Sequence, residues 1–138
     1  MNTKVADLMI KNIINCQPHH SIDFVRNLMR INKVHAVLII DKDDDLKGMV
    51  STFDLTYNFK QNTPVKNIMT EKVFTIPMHN DIHHAARLMR KHKVHHVVVT
   101  HEKKVVGILS SFDLLKLVEK HRFIMKPAPS KSNKRNIN

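Results

Sequence analysis

Two stretches of this chain hold residues whose types and spacing could do chemistry: Gly48-Met49-Val50-Ser51-Thr52-Phe53-Asp54 and Gly107-Ile108-Leu109-Ser110-Ser111-Phe112-Asp113. In each, a glycine and two apolar residues lead to a pair of hydroxyl residues, with an aspartate three positions after the first. The switch from apolar to polar predicts a strand running directly into a helix, with Ser51 or Ser110 as N-cap and Asp54 or Asp113 in the first turn. Ser-x-x-Asp is also a capping-box pattern, and helix initiation alone would account for it. The same residues nevertheless set hydroxyls and a carboxylate beside outward-pointing backbone N–H groups, an edge suited to anions and to hydroxyl-bearing ligands.

The remaining reactive side chains suggest less. His79 and His83, and His92 and His96, are spaced by four, which makes a metal-ligand pair only when both lie on one helix. His79 precedes the expected N-cap Asp81 and His92 closes the same helix, so no metal site is expected. A serine nucleophile would need a histidine and an orienting carboxylate around one centre. Ser51 and Ser110 recur in matching elements, which suits two equivalent binding edges better, and no enzymatic activity is expected.

Net charge narrows the partners. The formal charge is +11, which favours phosphorylated small molecules, acidic protein surfaces or nucleic acid. Lys126, Lys131, Lys134 and Arg135 contribute four of these charges from a tail, residues 126–138, with little to bury and expected to be disordered. The alternative to a small-molecule ligand is a basic nucleic-acid-binding or partner-binding protein. Against nucleic acid, Phe24, Phe53, Phe74 and Phe112 fall in apolar patterns that read as core, not as base-stacking platforms. No apolar run approaches the roughly 18–20 residues of a membrane helix, the N-terminus lacks a secretory pattern, and the lone Cys16 suits a reducing compartment, so a cytoplasmic protein is expected.

The elements that must position the two edges come from a duplication. Residues 5–40 match residues 65–100 at an offset of 60, with Val5, Met9, His19, Ile22, Leu28, Met29, Arg30, Lys33, Val34, His35 and Val37 each meeting an identical residue. After Asp41-Lys42-Asp43-Asp44-Asp45 the offset falls to 59, the shorter His101-Glu102-Lys103-Lys104 crossing the same turn. Each unit reads as a short helical turn (Val5 to Met9; Val65 to Met69), an extended segment closed by proline (Ile13 to Cys16; Val73 to Ile76), and an amphipathic helix starting after Ser21 or Asp81. Two strands joined by a hairpin follow (Val37 to Ile40 with Leu46 to Val50; Val97 to Val99 with Val105 to Leu109), then a last helix (Thr52 to Phe59; Ser111 to about Arg122). One such sheet is too small to stand alone, so the two units should pack on each other as a single α/β (α+β) body. The expected division is residues 1–60, 61–125 and the tail.

Two repeats of about sixty residues, each ending Gly-h-h-Ser-x-x-Asp before a final helix (h, hydrophobic), resemble a tandem pair of CBS (cystathionine β-synthase) domains, the Bateman module. The Val-x-x-Val-x-h-h runs at Val34 to Ile40 and Val94 to Thr100, and the openings at Val5 to Met9 and Val65 to Met69, extend the resemblance from residue 5 to about 122. It implies two βαββα-type repeats in pseudo-two-fold symmetry around a shared core, and a free-standing regulatory module. Its ligand would be an adenine nucleotide (AMP, ADP or ATP), with S-adenosylmethionine or NAD ranked behind. By the same resemblance Asp54 and Asp113 would accept the ribose hydroxyls, and Ser51, Thr52, Ser110 and Ser111 would meet ribose or phosphate. Asn15, Cys16 and Gln17, and Thr75, Ile76 and Pro77, would line the adenine slots. The cleft at Asp113 is favoured, on the reading that it also holds Thr75 with His95 and His96. The family further implies a homodimer and a regulated protein partner. Relatives often carry arginines where His95 and His96 stand, and imidazoles would make any phosphate contact depend on pH.

Overall fold

The computed structural model describes residues 2–60 and 62–120. The expected helix end at Arg122 and the tail lie outside them. The elements run α1 (Val5–Leu8), β1 (Asn15–Cys16), α2 (Ile22–Asn32), β2 (Ala36–Ile40), β3 (Leu46–Ser51), a 3₁₀ turn (Thr52–Leu55), a second 3₁₀ turn (Val65–Asn67), β4 (Thr75–Pro77), α3 (Ile82–His92), β5 (His96–His101), β6 (Lys104–Ser110) and α4 (Leu115–Lys120).

The strands form two three-stranded sheets, ordered β1-β2-β3 and β4-β5-β6. In each, the first pair is parallel and the second antiparallel, and the register slips by one residue near the hairpin, between Ile39 and Ile40 and between Val99 and Thr100. The hairpins explain the change of repeat offset. In the first, the Asp41 carboxylate accepts the N–H groups of Asp43 and Asp45, both at 2.9 Å, and shapes a five-residue turn. In the second, Glu102 and Lys103 both take positive φ (51° and 68°), the backbone of a two-residue type I′ turn.

The long helices follow their apolar periodicity. Val25 and Met29 of α2, and Ala85 and Met89 of α3, are buried against their own sheets. Ser21 caps α2 by accepting the Phe24 N–H at 3.1 Å. Asp81 holds the corresponding position but makes no cap bond, its carboxylate instead receiving the Lys4 ammonium at 2.6 Å. Both helices end on a lysine in the left-handed region, Lys33 and Lys93.

The core is filled crosswise. Val5 and Leu8 of α1 are buried with Ile76, Ala85, Met89, Val97, Val99 and Leu109 of the second unit, while Val65 is buried with Val25, Val37, Ile39 and Val50 of the first. Backbone bonds fix the exchange: the N–H groups of Val5 and Ala6 donate to the carbonyls of Asn80 and Met78, and those of Val65 and Lys66 to His20 and Pro18. Each opening turn therefore closes its neighbour's core. Leu38 and Val98, which alternate onto the sheet faces away from these clusters, are also fully buried, as strands covered on both faces require.

Both closing helices are shorter than expected: that of the first unit, expected from Thr52 to Phe59, is a single 3₁₀ turn, and that of the second, expected from Ser111, begins at Leu115 after turns over residues 111–114. Thr52, Phe53, Thr56, Tyr57 and Asn58 are weak helix formers, and with Phe53 and Tyr57 74% and 68% exposed no buried face offsets that weakness. The Leu-Lys-Leu-Val-Glu-Lys of α4 forms helix readily. Of the four phenylalanines expected in the core, only Phe74 packs against it. Phe53 and Phe112 lie on the turns after β3 and β6 and point outward, Phe112 at 76% exposure, and Phe24 is 42% exposed.

Candidate functional site

The crossed packing builds a cleft from both units. The connector after α1 joins the edge of β6 by a reciprocal pair, Ile10 N–H to Ile108 O at 2.8 Å and Ile108 N–H to Ile10 O at 3.0 Å. This sets Ile13 and Ile14, just ahead of β1, opposite the turn that follows β6. The resulting cavity, about 410 Å³, has an apolar wall of Ile10, Ile13, Ile14 and Ile108 and a polar one of Ser110, Ser111 and Asp113. Lys33, His35, His95 and His96 lie along the same cavity. A half-open, largely apolar cleft of this size with a few convergent polar groups suits a small organic ligand.

The polar wall is held by its own hydrogen bonds. Asp113 is nearly buried. Its Oδ2 accepts the Ser110 N–H at 2.8 Å and the Ser110 hydroxyl at 2.9 Å, and the Ser110 Oγ accepts the Asp113 N–H at 3.2 Å. Oδ1 has no protein donor among the described residues, so the cap leaves one carboxylate oxygen for a ligand hydroxyl. The Ser111 N–H donates to the His95 carbonyl at 2.8 Å, and the Ser111 Oγ lies 3.2 Å from His95 Nδ1. Burial, followed by the neighbouring His95 and His35, holds the His96 imidazole below its ordinary range, with Asp113 acting in the opposite direction.

The expected site residues separate into groups. Ser110, Ser111, Asp113, His95 and His96 line this cavity together. Ser51, Thr52 and Asp54 form the matching edge of the first unit, where Asp54 Oδ2 accepts the Ser51 N–H at 2.9 Å and the Ser51 hydroxyl at 3.2 Å. Cys16 and Ile76 do not reach a cleft: each is 4% exposed and buried in a core cluster. Thr75, expected beside Asp113, lies instead with Asn15 and Pro77 in a second cavity, where the two hairpin turns converge and Asp43, Asp44 and Asp45 line the same space as Lys103 and Lys104. Gln17 is exposed next to β1, its N–H donating to His20 Nδ1 at 2.9 Å. The reason is the crossing: the strand residues face core or hairpin, whereas the residues just before β1 meet the other unit's turn.

Sequence spacing missed Ile13 and Ile14 as wall residues, and also His35 and Lys33, whose contribution to a cleft shared with the second unit depends on how the repeats dock. It also missed a close group at the start of α3. One ligand atom each of Asp81, His83 and His84 lies within 4.8 Å of the others, and the Lys4 ammonium occupies the Asp81 carboxylate there.

A cleft between two docked repeats, edged by the serine–aspartate cap of the second, is the architecture of a paired regulatory ligand-binding module. The chain belongs to the CBS domain family, which it matches twice, over residues 5–60 and 65–120. CBS domain pairs are regulatory ligand-binding modules. Among solved structures, an uncharacterized conserved protein from Pyrococcus horikoshii superposes with a TM-score of 0.80 at 24% identity, covering 91% of this chain and 98% of that one. The CBS domain pair of protein MJ0100, solved with 5′-methylthioadenosine and S-adenosyl-L-methionine, has a TM-score of 0.78 at 26% identity, covering 86% of this chain and 98% of that one. In sequence, the chain is 25% identical to an uncharacterized protein of Methanocaldococcus jannaschii and 26% identical to the inosine-5′-monophosphate dehydrogenase of Halobacterium salinarum, over 85% and 81% of its length. It spans only 32% and 24% of the length of those two relatives. Among the described residues no helix is long and apolar enough to cross a membrane.

Proposed function

We propose that this CBS pair senses an adenosine-containing ligand in the cleft at Asp113 and passes the signal to a protein partner. The observation that carries the reading is the convergence of a free carboxylate oxygen on Asp113 with the apolar wall of Ile13 and Ile14. A purine stacks between the isoleucines while Asp113 Oδ1 accepts a ribose hydroxyl and Ser110 and Ser111 face the sugar–phosphate side. The adenine-facing role expected of Asn15 to Gln17 and Thr75 to Pro77 passes to Ile13 and Ile14. The adenosine ligands of the MJ0100 domain pair support the ligand class, and AMP, ADP and ATP are the first candidates.

Because the cleft is walled by both units, a ligand bridging Ile13 and Asp113 stabilises one relative orientation of the repeats, and a partner that binds that orientation reads its occupancy. The exposed Phe112, Leu115 and Val118, spaced along one turn and helix, form an apolar strip that a second copy of the chain would cover. That use also accounts for the outward aromatic at Phe112 without nucleic acid.

The test is a melting screen with AMP, ADP, ATP, S-adenosylmethionine and NAD. A ligand at 100 times its dissociation constant stabilises by about 2.7 kcal/mol. Asp113→Asn should abolish the response and Asp54→Asn should leave it. Absence of a shift with all five ligands would overturn the proposal.

A further inference from the structure

Resting on the adenosine reading of the Asp113 cleft, we infer that the cleft recognises a phosphate on its ligand through imidazoles drawn from both repeats and takes up a proton as it binds. His35 from the first unit and His95 and His96 from the second line one cavity. Their convergence follows from the duplication. His35 and His95 are equivalent residues at the entries to β2 and β5, and each carbonyl accepts the N–H of the residue after the capping serine, Thr52 at 3.0 Å and Ser111 at 2.8 Å.

Charge decides where a phosphate can sit. Asp113 repels an anion and accepts hydroxyls, so it takes the ribose side and leaves the phosphate toward the histidines. Lys33 is the single permanent cation among the residues lining this cavity, and one lysine does not neutralise a phosphate dianion. The groups that face His96 are His95, His35 and Asp113. Two are imidazoles that disfavour its protonation, and the carboxylate that favours it does not outweigh them and burial. Before an anion binds, His96 therefore favours its neutral form. An anion within hydrogen-bonding reach reverses that balance, and protonation of an imidazole supplies the missing positive charge.

The sign of the proton flux distinguishes this from ordinary phosphate binding. A phosphate monoester has a second pKa near 6, so a cleft that merely selected the dianion would release protons and weaken on acidification. Titration calorimetry of the full chain with AMP and with adenosine, at pH 7.5 in HEPES and in Tris, reads the flux from the difference in observed heats. Net proton uptake is expected with AMP and none with adenosine. AMP affinity should rise toward pH 6.5, by up to about tenfold per proton coupled, while adenosine affinity stays flat. His95→Asn, at an exposed position, should weaken AMP several-fold more than it weakens adenosine and reduce the proton uptake that accompanies AMP.

Proton release with AMP, no proton exchange, or binding of adenosine but not AMP would each overturn the inference while leaving the adenosine reading intact. Failure of both adenosine and AMP to bind would overturn the inference, and the reading with it when ADP, ATP, S-adenosylmethionine and NAD also leave the melting temperature unchanged.

Discussion

Replacing Gly48 by alanine should loosen the joint between the repeats, and the structure sets the size of the effect. A Cβ at Gly48 would stand 2.8 Å from the Thr70 carbonyl oxygen and 2.9 and 3.0 Å from Sδ and Cγ of Met69. The methionine can swing aside. The carbonyl cannot, because it accepts the Met49 N–H at 3.0 Å while the Thr70 N–H donates to Met49 O at 2.9 Å. Overpacking of this kind costs about 1–3 kcal/mol, and the lost freedom of the unfolded chain returns about 0.4–1 kcal/mol. The net loss should be about 1–2 kcal/mol, or roughly 3–10 °C in melting temperature for a chain of this size. Gly107→Ala should cost less, since its backbone neighbour, the Ile10 carbonyl, lies at 3.0 Å and the closest atom is the flexible Met9 Sδ. Urea denaturation followed by circular dichroism measures both. Adding Met69→Ala to Gly48→Ala should recover only part of the loss, because Thr70 O remains. A Gly48→Ala variant as stable as the parent, or more so, would refute the close approach and with it the tight docking of the two units.

The crossed core makes a second prediction. Val65→Ala should cost about 2 kcal/mol and speed amide exchange chiefly in β2, in the unit that Val65 does not belong to, while Val5→Ala should do so in β5; faster exchange confined to each valine's own unit would contradict the exchange of opening turns. A third concerns Cys16, whose thiol burial pushes from 9.0 up to about 11. The folded-state value is raised, so the contribution is intact below pH 9 and is lost as pH climbs through 9 toward 11, by about 2–3 kcal/mol in all. Cys16→Ala should flatten this alkaline decline, and a thiol reagent at pH 8 should label native Cys16 far more slowly than the urea-unfolded chain.

The sequence by itself determined the duplication, the order of elements and the chemistry of the two capped edges, because these rest on local periodicity and on side chains at most a few positions apart. Ser-x-x-Asp specifies a capping box wherever a strand runs into a helical turn, and β-branched runs such as Val97 to Val99 make buried strands in most surroundings. The length of the first closing helix was not legible in this way, since Thr52 to Phe59 lacks a partner surface that would hold weak helix formers in place. The outward turn of Phe53 and Phe112 was equally hidden, because apolarity signals burial without saying in which molecule.

Only the tertiary structure decided which residues share a cleft. Long-range docking pairs Ile10 with Ile108, brings Ile13 and Ile14 to Asp113, moves Thr75 to the far cavity, and gathers His35 with His95 and His96. Two equivalent units can pack with each edge facing its own first strand or the other's. The choice is made where the opening turns find cores to fill, through contacts between residues tens of positions apart in the chain that no local pattern records.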